Sequence, residues 1–353
     1  MKAADVELRE SRPIGAPEPS FDGYPGALLE HLRIAVVVPT FRRAALLERC
    51  LDALCAQDLP TANYEIVVCD DGPDESTREA VGRRAAREAP RGLAIRYVPV
   101  RDTQGPAGAR NAGWRAARAP LIAFTDDDTV PQPGWLRAGL AALERAHAVA
   151  GRIVVPLEGA PSDYERDASG LAQAEFATAN AFVRRATLAE VGGFDERFTS
   201  AWREDSDLQF ALLRAGASLA RADDAVVVHP VRPARWGVSL AQQRKSRFEA
   251  LLFRKHPALY RESIAAGPPL LYYGVLASVL VLAMALALRH TGIALAALAI
   301  WLALTASFCA RRLRDTRHDA LHVLEMIWTS LWIPFLSIYW RLQGAVSYRV
   351  WFL

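Results

Sequence analysis

Three consecutive aspartates, Asp126, Asp127 and Asp128, follow the apolar run Leu121–Thr125, and a second pair, Asp70-Asp71, closes the run Tyr64–Cys69. A single aspartate in such a place is ordinarily a turn residue or a helix cap. Five on two neighbouring strand ends point instead to a site. Like charges packed this closely repel, so a cation is expected among them. A divalent metal with oxygen ligands fits best.

The segment Gly105–Gly113 (GPAGARNAG) lacks the spacing of a phosphate loop, and VVVPTFRR stands where a dinucleotide fingerprint would begin. Arg110 and Asn111 within it read as nucleotide or phosphate contacts, or as the start of an ordinary helix; spacing leaves both open. His229 follows a short apolar run, Ala225–Val228, and reads equally as a metal neighbour or a satisfied surface histidine. Cys50, Cys55, Cys69 and Cys309 have no metal-ligand spacing and read as reduced thiols.

These residues sit on an alternating pattern. Strands are predicted at Ile34–Val38, Tyr64–Cys69, Leu93–Val98 and Leu121–Thr125, with helices over Ala44–Gln57, after the cap Asp74, and over Ala107–Ala117. That order predicts an α/β fold with a doubly wound, mostly parallel, Rossmann-like sheet. Ligands on such sheets bind beyond the carboxyl ends of the strands. Pro39, Thr40 and Phe41, Asp70-Asp71 and Asp126–Asp128 all stand there.

The chain has 353 residues, 52% of them apolar and 23% charged, enough for a packed core and too apolar for disorder. A net charge of +3 offers no nucleic-acid signature. The charge is unevenly placed: residues from Gly267 onward balance at +4, and the rest at −1. Gly267–Leu288 contains no charged residue, and its 22 positions would extend roughly 33 Å as a helix, enough to cross a bilayer core. A second uncharged run, Thr291–Ala310, follows after only Arg289 and His290, so the two must form a tight hairpin.

A third segment, Met326–Trp340, is uncharged but short and holds Pro334. It reads as a tilted span or as a re-entrant or interfacial helix. Arg254, Lys255 and Arg261 precede the first span; Arg311, Arg312, Arg314 and Arg317 follow the second. The positive-inside rule puts both flanks, and with them the body, on the cytoplasmic face of a membrane, as in a bacterial inner membrane. The polar start, Met1–Glu30, has no apolar run of the secretory kind. The expected organisation is an extension over 1–32, a catalytic domain over 33–238, a basic juxtamembrane helix over 239–266 on anionic lipid, and a membrane region of two or three helices over 267–353.

In five ordered pieces the chain resembles the family 2 glycosyltransferases of GT-A fold. The pieces are VVVPTFRR, YEIVVCDDGPDEST, GPAGARNAGWRAA, PLIAFTDDDTVPQPGWL and VGGFDERFTSAWREDSDLQFALLRAG, within Ile34 to Pro257. The resemblance implies inverting, metal-dependent transfer of a hexosyl unit from a nucleotide-sugar donor, UDP-linked, with Mg²⁺ or Mn²⁺ as cofactor. By it, Pro39, Thr40, Phe41, Asp71, Arg110, Asn111, Asp126 and Asp127 bind the donor, and Asp126, Asp128 and His229 lie at the metal. Asp205 becomes the catalytic base, with Glu204 and Asn180 on the acceptor side or in secondary roles.

Asp207 is a competing base on the same predicted helix. At about 100° per residue it points roughly 200° from Asp205, so one site can hardly use both. Arg214, two turns on, suits a solvated face, so Asp207 is expected to cap or to sit at the surface. Gln243-Arg-Lys-Ser-Arg247-Phe248 departs from the Q-x-x-R-W segment of processive members, which implies transfer of a single sugar. The acceptor is expected to be lipid-linked or membrane-associated, since the tail would otherwise have no use. Two alternatives stand beside this reading: transfer to polyprenyl phosphate, whose nucleophile is already an anion, and a catalytically silent membrane scaffold of the same fold.

Overall fold

The computed structural model describes residues 31–352; nearly all of the extension expected over 1–32 lies outside them. In chain order the elements are β1 (Ile34–Thr40), α1 (Ala44–Cys55), β2 (Tyr64–Asp70), α2 (Glu75–Glu88), β3 (Ala94–Pro99), α3 (Pro106–Ala116) and β4 (Leu121–Thr125). They continue with β5 (Val130–Pro131), α4 (Trp135–Leu143), β6 (Ala148–Val154), α5 (Asp163–Ser169), β7 (Asn180–Arg184), α6 (Arg185–Val191), α7 (Glu204–Arg214) and β8 (Leu219–Val228). Six helices follow: α8 (Val238–Gln242), α9 (Arg247–Lys255), α10 (Pro257–Ser263), α11 (Leu270–Ala287), α12 (Thr291–Leu313) and α13 (Ala320–Ser347).

The eight strands form one mixed sheet in the order β3-β2-β1-β4-β7-β6-β8-β5. β1, β2, β3 and β4 pair in parallel, as do β6 and β8, whereas β7 and β5 run against their neighbours. Only β5 and β7 therefore oppose the common direction, and the expected mostly parallel α/β sheet is the one found.

Strand periodicity divides the core. Ile34, Val36 and Val38 face one side, where Leu47, Leu51 and Leu54 of α1 and Trp135 and Leu140 of α4 cover them. Ala35 and Val37 face the other, under Ala107, Ala109 and Trp114 of α3 and Leu208 and Leu212 of α7. Burying each such large side chain contributes about 1.5–3 kcal/mol. Gly113 is required on this second face: a Cβ there would lie 2.3 Å from Val37.

The chain divides into two compact units, and the boundaries differ from those expected. The first unit ends at Val154, resumes at Glu175 and closes at His229; the second takes Val155–Ala174 with everything from Pro230. Residues 155–174 join the second unit because Asp163 of α5 accepts a hydrogen bond from Arg312 of α12 at 2.7 Å, and Arg317 N–H donates to the Pro161 carbonyl at 2.8 Å. Nothing in the local sequence pattern distinguishes this insertion.

Within the second unit, the single basic helix expected over 239–266 is broken into α8, α9 and α10. Pro257 has no N–H to donate and pushes His256 out of helical geometry (φ −138°, ψ 60°), which ends α9. Helices α11, α12 and α13 are 18, 23 and 28 residues long, with mean hydropathies of 2.3, 2.2 and 1.4 over an 18-residue stretch of each, long and apolar enough to cross a membrane. The third continues past Pro334, which lies inside it. It thus extends well beyond Met326–Trp340, to about 42 Å at 1.5 Å per residue, and is no short re-entrant segment.

Candidate active site

Because β1, β2, β4 and β8 point the same way, their carboxyl ends deliver Thr40, Asp70-Asp71, Asp126–Asp128 and His229 to one edge of the sheet. The turn after β4 is closed by Thr129, whose N–H and hydroxyl both donate to the Asp126 carbonyl, at 3.3 and 2.8 Å. The two-residue β5 then pairs Val130 with Val228 at the end of β8. That register sets the next residue, His229, beside the turn. Its Nε2 lies 3.4 Å from Asp128 Oδ1 and 4.0 Å from Asp126 Oδ2. Ligand atoms of Asp126, Asp128 and His229 all fall within 4.8 Å of one another. Two carboxylates and an imidazole make a donor set suited to Mg²⁺ or Mn²⁺.

Alternation along the turn turns Asp127 away from its neighbours. It is buried, accepting the Thr40 hydroxyl at 2.7 Å and an Arg43 N–H at 3.2 Å. Burial raises its pKa, against the pull of Arg43 and Thr40. Asp127 and Thr40 thus hold β1 to β4, where donor contacts were expected of both side chains.

The second acidic pair divides in the same way. Asp70 is buried and accepts from Tyr97 Oη at 2.8 Å and from the N–H groups of Gly72 and Asp74, which shapes the turn. Asp71 accepts one hydrogen bond, from Gly105 N–H at 2.8 Å, and its buried Oδ1 has no partner. Burial raises the Asp71 pKa, with the Gly105 bond opposing and Asp70 adding. An unfilled acceptor in a cleft wants a donor from a ligand. Gly105 itself sits at φ +100°, where a Cβ would meet the Thr199 backbone at 2.8 Å. The glycines of this segment therefore serve close packing and a helix start, with Pro106 in the first turn of α3. Phe41, half exposed, lies over Gly72 at the rim.

Besides any metal ion, Arg110 places a cation among these acids. Buried in α3, it donates from Nη2 to Asp126 at 2.8 Å and from Nη1 to Glu204 at 3.2 Å, with Asp205 at 4.0 Å. Burial works against its charge, but Asp126, Asp205 and Glu204 outweigh that and raise its pKa. Arg110, expected as a donor contact, bridges the acids of β4 and α7. Asn111 is likewise structural: it is buried, donating to the Phe194 carbonyl and to Glu196 while accepting from Trp114 and from Phe194 N–H.

Glu204 and Asp205 open α7 after Arg203, a non-glycine residue at φ +73° stacked on Trp202. Such strained positions gather at working sites. The Glu204 side chain is 4% exposed and that of Asp205 26%, so of the two only Asp205 is reachable. Thr178 holds Asp205 twice, with its hydroxyl at 2.5 Å and its N–H at 3.2 Å. No signal in the sequence singled out Thr178. Burial raises both carboxyl pKa values; Asp205 adds to the effect on Glu204, and Arg110 opposes it on both.

One further expectation changes. Asp207 is 2% exposed and so belongs to the interior, not to a solvated face. Asn180, expected on the acceptor side or in a secondary role, is buried with its amide accepting from Trp135 Nε1 and donating to the carbonyls of Arg152 and Ala225, tying β6, β7 and β8 together.

The profile described as glycosyl transferase family 2 matches residues 35–195, and that of glycosyl transferase family group 2 matches residues 121–310, more than half of the chain. The chain belongs to the family 2 glycosyltransferases. Among its relatives, the validoxylamine A glucosyltransferase of Streptomyces hygroscopicus subsp. jinggangensis is 28% identical over 288 residues, 67% of this chain and 64% of that protein. The pre-mycofactocin glycosyltransferase of Mycobacterium tuberculosis is 28% identical over 341 residues, 91% of this chain and 66% of that protein. This family 2 chain thus spans just under two thirds of those relatives' length. In fold it is similar to a mannosyltransferase from Pyrobaculum calidifontis solved with GDP-Man and Mn²⁺, at a TM-score of 0.55 and 22% identity over 92% of this chain and 91% of that one.

Proposed function

We propose that this family 2 member is a membrane-anchored, inverting glycosyltransferase that moves one sugar from a nucleotide-diphosphate sugar, UDP-linked, to an acceptor hydroxyl. The observation that carries the reading is the linked set Asp126–Arg110–Asp205: the donor-side acid and the reachable carboxylate of α7 share one buried cation. Asp126, Asp128 and His229 would hold Mg²⁺ or Mn²⁺. Such an ion supplies Lewis-acid stabilisation of the leaving diphosphate.

The chain's own residues do the rest. Asp71, with its unpaired Oδ1, receives an N–H of the nucleobase. Asp205, fixed by Thr178, takes the proton of the acceptor hydroxyl as that oxygen bonds to C1 and the bond from C1 to the donor phosphate breaks. One base suffices for direct displacement with inversion. The three apolar helices support a lipid-linked or membrane-associated acceptor, and the basic flanks of α11 and α12 support a catalytic unit on the cytoplasmic face. The Pyrobaculum mannosyltransferase, solved in complex with GDP-Man and Mn²⁺, supports donors of this class with a divalent ion.

A donor panel tests the reading. Purified full-length protein incubated with Mn²⁺ and UDP- or GDP-linked sugars should release nucleoside diphosphate from one of them, with the sugar's anomeric configuration inverted in the product. Absence of turnover and of donor-induced thermal stabilisation across the panel would sink it.

A further inference from the structure

The second unit holds a cavity of about 440 Å³, within the range of ligand pockets, about 300–1,000 Å³. It is formed by the start of α5, the segment Val231–Ser239 and the first turns of α13. This is the end of the helix bundle where α12 finishes in Arg311 and Arg312 and α13 begins. We propose that it binds the phosphate group of an amphiphile seated in the bilayer.

Three acids line the cavity, and each already accepts a hydrogen bond from this unit. Asp163 accepts from Arg312 at 2.7 Å, Glu165 from Ser162 N–H at 2.7 Å, and Glu325 from Gly237 N–H at 2.6 Å. His322 is different. It is 1% exposed, lines the cavity, and neither ring nitrogen has a hydrogen-bond partner; the nearest acid, Glu325 Oε2, stands 3.9 Å from Nδ1. A buried imidazole with both nitrogens unsatisfied costs stability unless a ligand supplies a partner. On the outer wall, Arg235 is exposed and pairs with no acid among the described residues. Arg317 also lines this wall, held by Asp319 at 3.1 Å.

The cavity therefore sets an unsatisfied imidazole and two guanidinium groups beside three carboxylates that each already accept a hydrogen bond from this unit. An imidazole and two guanidinium groups match a tetrahedral oxyanion, and guanidinium pairs with phosphate in fork geometry. The mouth is apolar: Trp236 is 55% exposed and Leu321 72% exposed, beside a helix apolar enough to span a membrane. A tryptophan at that level suits the water–lipid interface. An anionic head with an apolar body satisfies both halves.

Native mass spectrometry of the full-length protein in detergent tests this, reading retained lipid and not sugar transfer, so it stands apart from the proposed activity. The probes are phosphatidic acid, diacylglycerol with the same chains, and inorganic phosphate as competitor. Phosphatidic acid should be retained at least about tenfold better than diacylglycerol, the factor expected of one charge-assisted hydrogen bond. Displacement by millimolar inorganic phosphate would support the phosphate as the recognised group and free phosphate as a second source; lipid retained against it would support the headgroup in its bilayer setting.

His322→Leu should fold, since exchanging an unsatisfied polar group for an apolar one of similar shape is neutral or stabilising, yet retention should fall about tenfold. Arg235→Ala, on the exposed wall, should lower it by a similar factor and covers the case in which the buried variant fails to fold. Equal retention of diacylglycerol, or undiminished retention in Arg235→Ala and in folded His322→Leu, overturns the proposal.

Discussion

Arg110 donates to Asp126 at 2.8 Å, and the same guanidinium reaches Glu204 at 3.2 Å on a helix that begins ninety-four residues later in the chain. The acid at the end of β4 and the acids at the start of α7 are therefore electrostatically one system. Removing Arg110 would leave Glu204, already buried and raised in pKa, without its counter-charge. Arg110→Met should destabilise the catalytic unit by about 3–5 kcal/mol, the loss usual when one partner of a buried ion pair is deleted. Thermal denaturation in detergent would show it. Arg110→Lys should recover only part, because an ammonium cannot reach two acids in the guanidinium's fork geometry.

The assignment of the base separates Asp205 from Asp207. Asp205→Asn should fold and bind donor while losing about 10²–10⁴-fold in turnover, the range for a general base. Asp207 lies in the interior, so Asp207→Asn should lower the melting temperature and leave turnover per folded molecule nearly unchanged. Equal turnover losses in two well-folded variants would remove Asp205 from this role.

A pH profile carries the sign of the electrostatics. Burial raises the Asp205 pKa, with Arg110 and the Thr178 bonds pulling it back. A raised carboxyl protonates earlier as pH falls, so the base is lost at higher pH than for an ordinary aspartate. The acid limb of kcat/KM should have its midpoint above about 3.9. Thr178→Val deletes the hydroxyl that stabilises the anion and should move that midpoint further up. A limb unmoved by Thr178→Val would place the titrating group elsewhere.

Metal dependence should discriminate among the three consecutive aspartates. Asp128→Ala should abolish Mn²⁺-dependent UDP binding measured by calorimetry, and His229→Ala should weaken it. Asp127→Asn should retain that dependence and lose stability instead, since its carboxylate serves Thr40 and Arg43. Treatment with EDTA should reduce donor affinity of the native protein to the level of Asp128→Ala.

Membrane attachment gives a further outcome. The full-length chain should resist carbonate washing and require detergent for extraction. Protease added to vesicles with the cytoplasmic face outward should cleave the catalytic unit, and the opposite vesicle orientation should protect it.

Much of this molecule is legible along the chain. The buried parallel strands read as continuous apolar runs, and the helices between them show 3.6-residue spacing, because both signals arise from neighbours in sequence. The same holds for the uncharged runs that became α11 and α12. Strand-end acids were recognisable because parallel strands must all deliver their carboxyl ends to one edge. What the chain concealed depends on contacts between distant residues. The split of Asp70 from Asp71, and of Asp127 from its neighbours, is set by which side of a turn faces β1 or β3. The bridging role of Arg110, the commitment of Asn111 and Asn180 to the core, the cradle at Thr178 and the burial of Asp207 each require knowing what lies across the sheet.

The sequence by itself determined the fold class, the edge that carries the site and the segments apolar enough to enter a membrane, since hydrophobic period and local charge are properties of short stretches. Only the tertiary structure decided which acids are open and which are tied down, that residues 155–174 join the second unit, and that α13 continues through Pro334. A carboxylate's role is set by its desolvation and by the cation beside it, and both come from residues brought together by folding.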